Sequence, residues 1–426
     1  MYAGVSLDQA PPEDIPVRFF LSAPVFGIIA GLLILWDGGD LFVSNWGTST
    51  IALTHLFTLG WLAMIMMGSF YQMVPVLVGG TVPYIMAARK VHAMFAAGVV
   101  LIVAGIYLLS EPLITIASLL LLVSLLFFVI QLGIALLKVK ADRPTVLAMR
   151  ISIAALLVTV LLGFFFSGGH AGFWELPDNR VQMTGIHLTL GLFGWVGSLI
   201  MGVGFHVIPM FYMTPEFPSE KSFSILLAYT SSLILLPLSL LADGGGMLSL
   251  MAGLPALAAM LVFTKIMLDL IKNRKRKIVD VTLRSWQVAL VLLPLALLAF
   301  VLCQLTDHPA FIFSFGIIFI AGFGLTVTTG MLYKILPFLI WFHRFSLLIG
   351  KVPVPLMRDI SPDKPAQKQI RLFWAALLLL IIGAIFESGM LVRLGGLFFA
   401  TSSLLLMVNL LRMVRMKAPE LPEQTT

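Results

Sequence analysis

Charge is scarce in this sequence. Asp, Glu, Lys and Arg make up 11% of its 426 residues, against 60% hydrophobic residues, where soluble proteins average roughly a quarter charged. A chain this poor in charge cannot cover a water-facing surface without exposing long apolar runs. The reading is an all-α polytopic protein solvated by lipid. Cysteine is nearly missing: Cys303 stands alone, which excludes an intrachain disulfide and any multi-cysteine metal or iron–sulfur site. Also lacking are a glycine-rich phosphate loop, paired carboxylates inside apolar segments and a nucleophile–base set. Asp269 and Glu387 fall at expected segment ends. The first fifteen residues carry Asp8, Glu13 and Asp14 and no basic stretch, so no cleavable signal peptide is expected.

What the chain has instead is one pattern written three times. Gly60-Trp61, six residues on, is followed by Gly68-Ser69-Phe70-Tyr71-Gln72-Met73-Val74-Pro75. Gly194-Trp195 leads in the same way to Gly202 and on through Phe205 and His206 to Pro209; Gly322-Phe323 leads to Gly330 and on through Tyr333 and Lys334 to Pro337. Each copy reads glycine, aromatic, six residues, glycine, two residues, aromatic, polar, two residues, proline. Agreement at six positions inside three long apolar segments marks three copies of one supersecondary unit.

A membrane span needs about 20 apolar residues. Twelve segments qualify, approximately Val17–Trp36, Ile51–Val78, Val91–Leu109, Leu113–Lys138, Val146–Phe166, Thr184–Met213, Phe223–Leu241, Met247–Ile271, Leu283–Leu305, Ala310–Phe342, Leu372–Phe386 and Leu391–Met413. The motif falls on segments 2, 6 and 10. This predicts a single transmembrane domain of three pseudo-symmetric four-helix arcs, 17–138, 146–271 and 283–413, with a solvated tail over 414–426.

The net charge of +7 does not point to nucleic acid, because the bases sit in short loops. Arg89-Lys90, Lys138/Lys140/Arg143, the run Lys272 to Lys277 and Arg344/Lys351/Arg358 follow even-numbered segments. Asp37/Asp40, Glu111, Glu175/Asp178, Asp243 and Asp307 follow odd-numbered ones. By the positive-inside rule both termini are cytoplasmic, and segments 2, 6 and 10 start at the outer face. The loop Ser167–Met183 lies outside, and Gly350–Lys368 inside.

Seven histidines are present. His92, His343 and His308 fall at segment ends or in a loop, where solvation is the usual fate. His55 and His187 lie at the outer ends of segments 2 and 6. An ionisable group inside a span normally faces the bundle interior, and imidazole is the commonest metal ligand. The pair is a candidate for metal or haem ligation; the plain alternative is a hydrogen bond to a neighbouring helix. Their offsets from the motif tryptophans differ by two residues, about 200° of helical turn. His170, after Gly168-Gly169, is placed to roof the same site or to sit in solvent. Gln72, His206 and Lys334, three residues before the motif prolines, are expected at one depth near the cytoplasmic face. They would satisfy proline-freed carbonyls, with Lys334 snorkelling, or line a polar path. Met64, Met66, Met67 and Met73 read as apolar packing, with a copper pathway as the alternative. The motif glycines allow close helix contact.

The stretches from His55 to Pro75 and from His187 to Pro209, set in twelve segments, resemble helices 2 and 6 of subunit I of the haem-copper oxidase superfamily. The similarity is to its cbb-type oxidase and nitric oxide reductase branch. The resemblance implies that His55 matches an axial ligand of the low-spin haem. It places His187 on the helix that supplies the first histidine to the active-site metal. The family's His-x-His pair on helix 10 is missing: Phe315 and Ile317 stand at the matching positions. Helix 7 lacks the His-His pair of the second metal. A standard oxygen-reducing site therefore cannot be assembled. The resemblance implies a divergent member, comparable to haem- and copper-containing membrane proteins of the nitric oxide response. The expectation is a haem b held by His55 and His187, or by His170 as second ligand, serving electron transfer or nitric-oxide-linked redox. Copper is the other metal considered, and a cytochrome or quinol would be the electron donor. The rival is a cofactor-free or copper-handling transport or accessory protein; a third is a structural subunit without cofactors.

Overall fold

The computed structural model describes residues 11–140, 143–242, 246–306 and 308–418. Asp8, Asp243, Asp307 and the end of the tail from 419 lie outside the described residues. Among the described residues the regular structure is helical, with twelve helices long and apolar enough to cross a membrane. Lipid offers the backbone no hydrogen-bond partner, so each span must bond to itself as a helix. The chain is a multi-pass membrane protein.

The spans are α1 Asp14–Phe42, α2 Thr48–Leu77, α3 Ile85–Tyr107, α4 Glu111–Leu137, α5 Pro144–His170 and α6 Arg180–Tyr212. They continue with α7 Ser219–Leu241, α8 Met247–Lys272, α9 Val281–Leu305, α10 Ala310–Arg344, α11 Asp363–Ile385 and α12 Gly389–Val414. Prolines begin α4 and α5 in the first turn, where a missing N–H costs nothing. Asp280 caps α9 by accepting from the Leu283 N–H at 2.9 Å. Several boundaries differ from expectation: α1 runs on to Phe42, α3 begins at Ile85 and α6 at Arg180. α5 runs on to His170, which shortens the following loop. α11 begins at Asp363, where Pro362 and an acidic first turn start a helix whose opening turns are too polar to read as a span.

α2, α6 and α10 bury 67, 78 and 56% of their most apolar stretch, whereas the other spans bury 33–50%. The three motif-bearing helices are therefore the inner ones. The motif shows why they can be. A Cβ on Gly60 would fall 2.7 Å from Phe26 of α1, on Gly194 2.5 Å from Ala155 of α5, and on Gly322 3.1 Å from Leu292 of α9. Eight residues on, Gly68 meets Phe19 at 2.8 Å, Gly202 meets Ala148 at 2.3 Å and Gly330 meets Ser285 at 2.4 Å. In every copy both glycines face the helix just before, at two positions seven residues apart. Small residues let backbones approach where lipid gives no hydrophobic push.

The second motif aromatic repeats as faithfully. It meets the helix two further on: Tyr71 donates to Gln131 of α4 at 2.8 Å, and Phe205 packs edge-on to Phe263 of α8 with ring centres 5.7 Å apart. Tyr333 accepts from Asn409 of α12 at 2.9 Å and donates to Gln369 of α11 at 3.1 Å. Neighbouring copies join through the tryptophans. Trp195 stacks on Phe70 at 5.5 Å, and Trp61 lies against Phe399 of α12 at 5.9 Å.

Candidate functional site

Each inner helix departs from α geometry once, at the same place. π turns occupy Leu56–Ala63, Thr189–Gly197 and Ile317–Leu325. The first follows directly on His55, and the second begins two residues after His187. Such turns recur at functional sites because the extra residue re-aims the side chains around it.

His55 Nδ1 lies 2.8 Å from the Ile51 carbonyl, one turn back on its own helix. His187 Nδ1 lies 3.1 Å from the Thr159 carbonyl of α5. A carbonyl only accepts, so each ring donates from Nδ1, and in the neutral imidazole Nε2 keeps its lone pair. A ring N–H held by a backbone carbonyl is the arrangement of metal-ligating histidines. Both histidines are partly buried. Gly163 lies beside His187: a Cβ there would fall 3.3 Å from its Cε1. Phe166 stands edge-on to the His187 ring at 6.0 Å.

His170 does not join them. It is exposed at the end of α5. The glycines before it do let the chain fold in, but the groups admitted are others. A Cβ on Gly168 would be 2.2 Å from the Trp174 ring, and one on Gly169 2.4 Å from Leu176. Trp174 Nε1 donates to the Phe165 carbonyl at 3.0 Å. The third copy offers no ligand at this level: Phe315 stacks on Phe193 at 6.0 Å, with Phe300 and Phe319 around it. Among the described residues no group of three or more His, Cys, Asp or Glu is placed to hold a metal ion.

The other end of the bundle carries the basic loops. There Lys334 neither snorkels nor serves a proline-freed carbonyl. It forms an ion pair with Asp280, both side chains being mostly buried. Asp280 also accepts from Tyr212 at 2.8 Å. Gln72 and Lys334 line one cavity of about 310 Å³ between α2, α6 and α10. His206 is not among its lining residues and is exposed. The motif's repeated contacts therefore do not extend to its polar position. Gln72 is buried with no partner for its Oε1.

Sequence reasoning missed Asp280, whose signal was an N-cap residue just ahead of an apolar segment. It also missed Gln131, Gln369, Ser402 and Asn409. Gln369 donates to Ser402 at 2.8 Å, and Gln131 donates to the carbonyls of Pro83 and Tyr84 at 2.8 and 3.0 Å. Gln131 and Asn409 were signalled as lone polar residues in apolar runs, whereas Gln369 follows Gln367-Lys368 and Ser402 lies between Thr401 and Ser403, with nothing to single them out. No protein-family model and no curated protein matches the chain.

Proposed function

We propose that this membrane protein holds a haem b between His55 and His187 and serves electron transfer or nitric-oxide-linked redox, as a divergent relative of haem-copper oxidase subunit I. The single observation that carries the reading is the pair of rings whose Nδ1 atoms are committed to backbone carbonyls while their Nε2 atoms are left with free lone pairs. The donor set fits the group, since the Nε2 atoms of His55 and His187 would hold its iron. When bound, haem supplies one-electron chemistry. This chain's residues do the rest. The Ile51 and Thr159 carbonyls fix tautomer and ring orientation. Gly163 leaves room beside His187, and the apolar helices around the pair keep water away and so bias the potential.

The loop charges support an inner-membrane location with both termini cytoplasmic and the histidine end outside, where a cytochrome or quinol would deliver electrons. The test is a reduced-minus-oxidised visible spectrum of the purified chain, with metal analysis. b-type bands that vanish in His55→Ala and in His187→Ala are expected. Bands that survive either substitution would move the axial role elsewhere. A second reading has one observation of its own: Gln72 and Lys334 share a cavity. It is a cofactor-free or copper-handling transport or accessory protein, and copper without haem bands would favour it.

A further inference from the structure

At the basic end the three inner helices part, and the cavity between them falls at the lower end of small-molecule sites, roughly 300–1,000 Å³. Its walls are apolar and adaptable: Met73, Met210, Met331 and Phe338. Its polar equipment is sparse. Gln72 is 5% exposed and makes no hydrogen bond among the described residues, so its Nε2 N–H remains free to donate. An ammonium has three N–H donors, and among the described residues Asp280 is the sole acceptor of Lys334 Nζ, so donors remain for a further group. At the rim stand Arg276 and Arg358. Arg276 belongs to the run Lys272, Arg274, Lys275, Arg276, Lys277, which has no acidic residue within it. Such a run makes a positive field that draws anions toward the mouth. Asp280 and Asp363 are the acids of the lining.

We infer that this cavity binds an amphipathic carboxylate, its anionic group accepting from Lys334 Nζ and Gln72 Nε2 and its apolar body laid against the methionines and Phe338. A small inorganic anion would leave the apolar walls facing water. An uncharged amphiphile would gain nothing from Lys334 or the rim, and a cation would be opposed by both. The carboxylate has two possible sources, a fatty acid from the bilayer or an aromatic acid from water. The inference is independent of haem, because none of its residues belongs to the histidine end.

The test is equilibrium binding of radiolabelled decanoate and of radiolabelled benzoate to the full chain in lipid nanodiscs, with decanol as uncharged competitor. Saturable binding of one carboxylate per chain is expected, undisturbed by decanol. Gln72→Leu should weaken it about tenfold, the loss of one good hydrogen bond. Lys334→Met alone strands Asp280, so the charge-neutral double variant Asp280→Asn/Lys334→Met is used; it should abolish saturable binding while keeping the unfolding midpoint. Binding of decanoate alone assigns the bilayer as source, and of benzoate alone the aqueous phase. No saturable binding of either, equal competition by decanol, or wild-type affinity in Gln72→Leu would overturn the inference.

Discussion

At the histidine end, His55, His187 and Trp174 bond to backbone. His55 reaches Ile51, His187 reaches Thr159, and Trp174 reaches Phe165. At the basic end Gln131, Arg150 and Trp341 also bond to backbone, but the charged side chains there add pairs with one another. Lys334 pairs with Asp280, Arg344 with Glu13, and Arg89 with Asp14 at 2.8 Å. A side chain tied to backbone keeps its remaining atoms for something else, which is what a ligand site needs. Charges tied to each other fasten together the elements that carry them, which is what a closure needs. Arg344 illustrates the second case, since it also donates to the carbonyls of Val414 and Met416 at 2.7 and 2.6 Å. It thereby ties α10 to the chain just before α1 and to the end of α12.

The sharpest way to break this contrast is Asp280→Asn. It leaves Lys334 buried without its counter-charge, and removing one partner of a buried pair costs about 3–5 kcal/mol. Thermal unfolding in detergent should show a large fall, restored by adding Lys334→Met; an unchanged midpoint would mean the pair holds nothing. Next in size is Gly168→Leu at the histidine end, where a Cβ would fall 2.2 Å from the Trp174 ring. Displacing that ring should cost about 1–3 kcal/mol, read as a lower midpoint with red-shifted tryptophan emission.

Acid should weaken the basic end in a defined window. Burial alone would raise the Asp280 carboxyl, but the Lys334 charge and the hydrogen bonds from Lys334, Leu283 and Tyr212 outweigh it and hold it below its ordinary 3.8. A carboxylate depressed in the folded state contributes stability that is complete above 3.8 and lost as pH falls through the lower folded value. Midpoints measured below pH 4 should therefore fall less in Asp280→Asn/Lys334→Met than in wild type. The smallest effect is expected for Gly163→Ala. Its Cβ would approach His187 Cε1 at 3.3 Å, a contact the ring relieves by tilting. The gain in helix propensity offsets that strain, leaving stability within about 0.5 kcal/mol of wild type.

The twelve spans were readable because lipid imposes length and apolarity on every one of them. The motif glycines and aromatics were readable because each performs the same contact three times. His55 and His187 stood out as imidazoles inside spans. What escaped has a common cause: its partners are distant in sequence. Asp280 looked like a loop acid, and only the fold brings Lys334 to it, 54 residues on. Gln369 fell between the expected loop and segment 11 because the opening of α11 is polar, and its partner Ser402 lies on the next span. The π turns left no residue signature beyond the glycine and aromatic already noticed, since an i→i+5 bond uses only backbone.

The central claim is that two imidazoles from α2 and α6 hold one haem. The most direct measurement is haem stoichiometry by pyridine haemochromogen in wild type, His55→Ala and His187→Ala, each purified to a single monodisperse peak. The account predicts one haem per chain in wild type and none in either variant. Wild-type protein without haem when expressed with ample haem supply, or a variant that keeps the full complement, would contradict it.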